Sequence, residues 1–305
     1  MGRKEQGLIM MHKAEKTLVG LALLLLLVFF PTMVLAAEIA VPHKKGRFAA
    51  VFERYSPHSN TNSIMKRMRL HVKPGQINGH HYDIRSESFE VYVPDTYDPN
   101  TPFGLMVWAS PSPEGRIEHL RGARELMDKY GLIWVGANQV GNEKDPYTRR
   151  IPLALDAAYN MQRLYTIDPT RVYIAGLSGG GRISSIASMH YSDVFDGGIF
   201  IIGANYWEMM RVPGKGTTWQ ANMTVPRPKC LWQARESGRY VLLTGDNDDN
   251  RLQMHTYYER GFKHQLKHVL YMQVPGMGHE PPPPEEFEKA IIYIDSRETK
   301  KEETK

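Results

Sequence analysis

Short stretches that are apolar at nearly every position recur along this chain, and they limit its possible folds more than any other feature. A strand that alternates polar and apolar residues buries one face, whereas a strand apolar throughout must bury both. "FGLMVWA" (Phe103–Ala109), "LIWVGAN" (Leu132–Asn138) and "RVYIAG" (Arg171–Gly176) are of the second kind, as are "GGIFIIGAN", "RYVLLTGD" and "KHVLYMQVP" further on. Segments with helical spacing lie between them. "EHLRGARELMDKYG" reads as one helix ending at Gly131, and "RRIPLALDAAYNMQRLY" puts Ile151, Leu155, Ala158 and Leu164 near one helical face. "RISSIASMHY", "RLQMHTYYERGF" and the closing "PEEFEKAIIYID" are also helical. This alternation implies an α/β fold, a mostly parallel central sheet with helices on both faces. At 305 residues and 42% hydrophobic, the chain can fill one substantial core.

The first residues stand apart. Arg3, Lys4, Lys13 and Lys16 precede an unbroken apolar run, Leu18 to Phe30, followed by Pro31 and the small-residue exit Val34-Leu35-Ala36. That layout predicts a signal peptide over 1–36 and a secreted or periplasmic protein. The alternative is an uncleaved anchor, because apolar character continues to Ala37 and reaches about the ~20 residues that span a bilayer. Contact with a membrane is expected only in that case. Residues 37–86 form an N-terminal extension of unclear role, in which "RFAAVFER" alternates as a strand does. The main domain covers 87–295, beginning with the strand "SFEVYVP", and a charged tail occupies 296–305. Cys230 is the only cysteine, so no disulfide forms within the chain. The net charge of +5 falls to +3 without the four basic and two acidic residues of 1–36. No basic stripe interleaved with aromatics appears, so nucleic acid is not an expected partner.

One motif points to chemistry. Gly176-Leu177-Ser178-Gly179-Gly180 follows a strand and precedes a helix, the setting of a G-x-S-x-G nucleophile elbow. The tight turn lifts the hydroxyl above the sheet end, and its neighbours must be nearly free of side chain. A serine hydroxyl becomes nucleophilic only when a base takes its proton and a carboxylate fixes that base's tautomer. Of the twelve histidines, His279 in "VPGMGHEPPPP" follows the last strand in a rigid Gly- and Pro-bounded loop, and is the expected base. "TGDNDDN" offers Asp246, Asp248 and Asp249 after the preceding strand. Asp248, two places beyond the residue that follows the glycine, is favoured, and a capping role is expected of the others. An oxyanion needs backbone N–H donors, one from Gly179 and one from the loop Ser110-Pro111-Ser112-Pro113. Its prolines have no N–H, so Ser110 or Ser112 must donate.

Together "IDPTRVYIAGLSGGGR", "YSDVFDGGIFIIGANYW" and "VPGMGHE" resemble the polyhydroxybutyrate-depolymerase and feruloyl/acetylxylan-esterase branch of the α/β hydrolases, over about Glu87 to Asp295. The resemblance implies the α/β-hydrolase fold and a triad of Ser178, an acid such as Asp248, and His279. It implies secretion and an ester substrate, small or polymeric, with neither metal nor organic cofactor. The S-P-S-P loop departs from the His-Gly pair common in lipases and esterases. The lone cysteine leaves out the disulfides of some secreted members.

Residues 204–238 read as a cap over a cleft, its Trp207, Trp219 and Trp232 contacting substrate. Arg182 could meet a substrate carboxylate, though such arginines more often face solvent. His264 and His268 stand four apart without a completing ligand pattern, and Asn222-Met223-Thr224 fits a glycosylation acceptor. Two other readings stay open: a peptidase of the prolyl-oligopeptidase kind, and a non-catalytic binder stacking sugar or aromatic rings on the tryptophans.

Overall fold

A computed structural model of the chain describes residues 38–71 and 79–296. The expected signal peptide over 1–36 and the tail beyond Ser296 lie outside these residues. In chain order the elements are β1 (Glu38–Ile39), β2 (Gly46–Val51), α1 (Thr61–Met68), β3 (Phe89–Val93), β4 (Phe103–Ala109), α2 (Ala123–Tyr130) and β5 (Leu132–Ala137). There follow α3 (Ile151–Leu164), β6 (Ile167–Leu177), α4 (Gly179–His190), β7 (Gly197–Ile201), β8 (Met210–Arg211) and β9 (Thr218–Trp219). The last are α5 (Pro228–Glu236), β10 (Arg239–Gly245), α6 (Arg251–Tyr257), β11 (Val269–Val274) and α7 (Pro284–Asp295).

One sheet runs in the order β1-β2-β3-β5-β4-β6-β7-β10-β11, and from β5 to β11 every pairing is parallel. Successive β4 residues serve opposite faces: Leu105 and Val107 join the layer under α3 and α4, while Met106 and Trp108 join the layer under α2 and α7. Burial on both faces is why this strand is apolar throughout. Trp108 stacks on Trp134 of β5 at 5.0 Å between ring centroids. From β4 the chain crosses to β5 on one side, then returns to place β6 on the other. A crevice therefore opens between the carboxyl ends of β4 and β6, where ligands bind in open parallel sheets.

Three sequence expectations change. Residues set apart as an extension belong to the sheet: β2 pairs antiparallel with β3, and Phe52 packs on Phe89 at 4.5 Å. The helix expected over 118–131 is broken. A 3₁₀ turn at Ile117–His119 precedes α2, and Gly122 between them takes φ +74°, with Pro284 of α7 against the face where a side chain would stand. The stretch 204–238 is not one irregular loop, for it contains the hairpin β8–β9 and the helix α5.

Within the layer that holds α3, Asp156 is fully buried. It accepts the Ser56 N–H at 2.6 Å and the Tyr82 hydroxyl at 2.5 Å, tying residues 56 and 82 to the helix. Burial pushes its carboxyl up from the usual 3.8 to about 6, against the hydrogen bonds that favour the anion. The folded protein thus keeps this proton to higher pH than the unfolded chain does. The group's contribution to stability is complete below pH 3.8 and is lost as pH rises through about 6. Relative to Asp156→Asn, the parent should lose on the order of 2–3 kcal/mol between pH 4 and 7. Urea midpoints measured across that range test this, and a pH-independent difference would contradict it.

Candidate active site

β6 ends at Leu177 and α4 begins at Gly179, leaving Ser178 to make the whole turn. Its backbone sits at φ 53°, ψ −117°, a strained conformation for a residue with a side chain. The surroundings hold it there. The Ser178 N–H donates to the Ile201 carbonyl at 2.8 Å, and its carbonyl accepts the Arg182 N–H at 3.1 Å. A Cβ on Gly180 would run into the Ala109 carbonyl at the end of β4, and one on Gly203 into the Ser178 carbonyl. The glycines around this hydroxyl are therefore the places where the ends of β4 and β7 close on the turn.

Three side chains meet at that point from separate strand ends. The Ser178 Oγ lies 2.8 Å from His279 Nε2, and His279 Nδ1 lies 2.8 Å from Asp248 Oδ1. An ionised carboxylate can only accept, so Nδ1 carries the proton and Nε2 is left to accept the Ser178 O–H. Asp248 is buried and held on both oxygens: Thr244 Oγ1 donates to Oδ2 at 2.7 Å, and the Asn250 N–H donates to Oδ1 at 3.2 Å. The other two aspartates stand elsewhere. Asp246 accepts the Gly276 N–H at 2.8 Å and so braces the loop that carries His279, while Asp249 is exposed. Neither makes a capping bond to α6. Chemically, this row can move a proton from a hydroxyl to an imidazole beside a buried negative charge.

Several solved structures are similar to this chain in fold. The fluorophosphonate-binding serine hydrolase FphF of Staphylococcus aureus superposes with a TM-score of 0.52 at 11% identity, over 69% of this chain and 93% of that one. The S-formylglutathione hydrolase FrmB of Staphylococcus aureus gives 0.51 at 12% identity, over 68% and 92%. The fold is that of the α/β hydrolases. Esterase 2 of Thermogutta terrifontis, in a sarin-phosphonylated form, matches at 0.50 and 13% identity, over 69% and 88%. No family model matches the chain, and no curated protein does.

Next to Ser178, Gly179 opens α4, where the first N–H groups of a helix lack an intrahelical acceptor. Ser110 and Ser112 are the two serines expected to supply the second donor. The Ser112 N–H donates to Ser110 Oγ at 3.1 Å. Ser110 itself is fully buried at the end of β4.

The three tryptophans separate. Trp207 is a core residue, stacked on Tyr206 at 4.2 Å and edge-on to Phe262 at 5.6 Å. Trp232 is 62% exposed on α5, whose Cys230 carbonyl accepts the Ser192 hydroxyl just beyond the far end of α4. The twelve residues of α4 put that end roughly 18 Å from Ser178. Trp207 thus packs inward and Trp232 outward, because sequence shows aromatic content but not the direction of a face. Trp219 is half-buried, edge-on to Tyr257, whose hydroxyl accepts from Gln253 at 3.1 Å.

Arg182 is largely engaged, its two Nη groups donating to the Ala204 carbonyl and to side-chain oxygens of Asn205, Asn250 and Gln253. The Asn222 amide is likewise engaged, accepting from the Tyr206 N–H at 2.7 Å and donating to the Tyr257 hydroxyl. Among the described residues no three His, Cys, Asp or Glu side chains converge as metal ligands, His264 and His268 included. Two residues of the site escaped sequence reading. Thr244 left a signal, a hydroxyl that interrupts the apolar run of β10 at its carboxyl end. Asn142, against Gly179, left none.

Proposed function

We propose that this protein is a serine hydrolase that cleaves carboxylic esters through an acyl-enzyme. Ser178 attacks the ester carbonyl while His279 Nε2 takes its proton, and Asp248 orients the imidazole and stabilises its charged form. The Gly179 N–H, at the positive end of α4, stabilises the oxyanion. His279 then returns the proton to the leaving alkoxide. Water, deprotonated by the same nitrogen, releases the acid and restores Ser178. The observation that carries the reading is the unbroken hydrogen-bonded row from Ser178 through His279 to Asp248, at 2.8 Å for both steps, on a strained turn.

The fold shared with serine hydrolases and esterases supports the same reaction class. The finer resemblance to polyhydroxybutyrate depolymerases and feruloyl or acetylxylan esterases rests on the motif residues around Ser178 and His279. General-base assistance of this kind contributes typically 10²–10⁴ in rate. Mixing the purified protein with p-nitrophenyl acetate should release a burst of about one p-nitrophenolate per chain before the steady state. Hydrolysis no faster than in buffer would defeat the reading. Export directed by residues 1–36 is part of the proposal, on the strength of their charge and apolar layout. It is tested by the N-terminus of the protein recovered outside the cytoplasm, expected at Ala37.

A further inference from the structure

Two adjacent arginines stand above the sheet at the start of α3, and they differ in one respect. Arg149 forms a two-pronged ion pair with Glu87, at 2.9 and 2.6 Å. Arg150 is 7% exposed and faces no carboxylate in hydrogen-bonding range. Its one side-chain bond among the described residues is from Nη2 to the Ser110 carbonyl, at 2.8 Å. A guanidinium has five N–H donors. The others bond to no protein group, yet none of its nitrogens is sealed away as a buried unpaired atom. They keep a narrow contact with solvent. Arg182 also lacks an acid, but four neutral acceptors surround it.

A buried cation without a counter-ion is costly unless something else completes it. Burial lowers the Arg150 pKa to about 10, with only Glu143 acting against it, so the group remains charged at neutral pH. Glu143 is exposed and lies 3.8 Å from Lys144. The position of Arg150 is the second observation. Its one partner, Ser110, follows directly on Ala109, whose carbonyl closes on Gly180 beside the nucleophile turn. Arg150 itself ends a π-helical turn, Pro146–Arg150, tied down by Asp145 through the Tyr147 and Thr148 N–H groups. Such turns are rare and concentrate at functional sites.

We infer that Arg150 is the anchor for a carboxylate carried by the substrate, so that the site takes anionic esters such as a hemiester of a short dicarboxylic acid. The inference rests on the hydrolase reading of Ser178 for its chemistry, though not for its binding. A planar guanidinium meets a carboxylate with two parallel N–H donors, a match that an ammonium cannot reproduce.

The test compares monomethyl glutarate with methyl pentanoate as substrates of the parent, Arg150→Gln and Arg150→Lys, following acid release. The parent should prefer the hemiester in kcat/KM by about 10–100-fold, the worth of a charge-assisted hydrogen bond. Arg150→Gln should bring that ratio near one, and Arg150→Lys should fall between. In parallel, glutarate but not glutaramide should raise the melting temperature of the parent, and the rise should vanish in Arg150→Gln. A parent with no preference for the hemiester and no response to glutarate overturns the inference, whatever the variants do. So does a preference that survives Arg150→Gln. If neither ester is turned over while glutarate still stabilises the parent through Arg150, the anion site stands and the hydrolase reading falls.

Discussion

Ser178→Ala should lower ester turnover by about 10⁶-fold, to the residual rate left by binding and the oxyanion donors. The loss is chemical and not structural. Oγ makes one side-chain contact, to His279 Nε2, whereas the turn itself is held by backbone bonds to Ile201 and Arg182 that alanine keeps. Alanine also has the same Cβ at the same strained angles, so the variant should melt within a few degrees of the parent. A variant that melts normally but keeps more than about a thousandth of the activity would point to a different nucleophile.

Asp248→Asn should cost about 10⁴-fold, the loss seen when a neutral amide replaces the carboxylate of such a row. Asparagine can turn its amide towards His279 Nδ1 and leave the proton on Nε2, where it can no longer accept from Ser178. It also removes the negative charge that steadies the imidazolium. The neighbouring aspartates supply the control. Asp246→Asn keeps an oxygen for the Gly276 N–H and should stay within about threefold of the parent, and Asp249→Asn, on an exposed side chain, should change nothing. Rates at matched active-site concentration distinguish the three. Equal losses at positions 246 and 248 would remove the assignment of the acid.

The legible parts of this molecule were those where one local requirement leaves few choices. The β4 run Phe103–Ala109 has the bounds expected of it, because burial on both faces forbids polar residues along its whole length. The turn at Ser178 announces itself because two strand ends must pack against it, and only glycine permits that. His279 stands out through the stiff chain on either side. What stayed hidden depends on partners distant in sequence. The place of β2 in the sheet follows from its pairing with β3, which no local pattern reveals. The break at Gly122 arises where α7 crowds it, some 160 residues later. Trp207, Trp219 and Trp232 look alike as letters, but one enters the core, one packs edge-on to Tyr257 of α6 and one faces solvent on α5. Arg149 and Arg150 are indistinguishable until the fold brings Glu87 to the first and leaves the second open.

The central claim is that the fold makes one hydroxyl reactive, and covalent capture examines it without any assumption about substrate. Treated with a fluorophosphonate and digested, the protein should carry a single adduct on the peptide that contains Ser178, in proportion to the esterase activity lost. An unmodified Ser178 in protein that still hydrolyses esters, or an adduct on another residue that accounts for the lost activity, would contradict it.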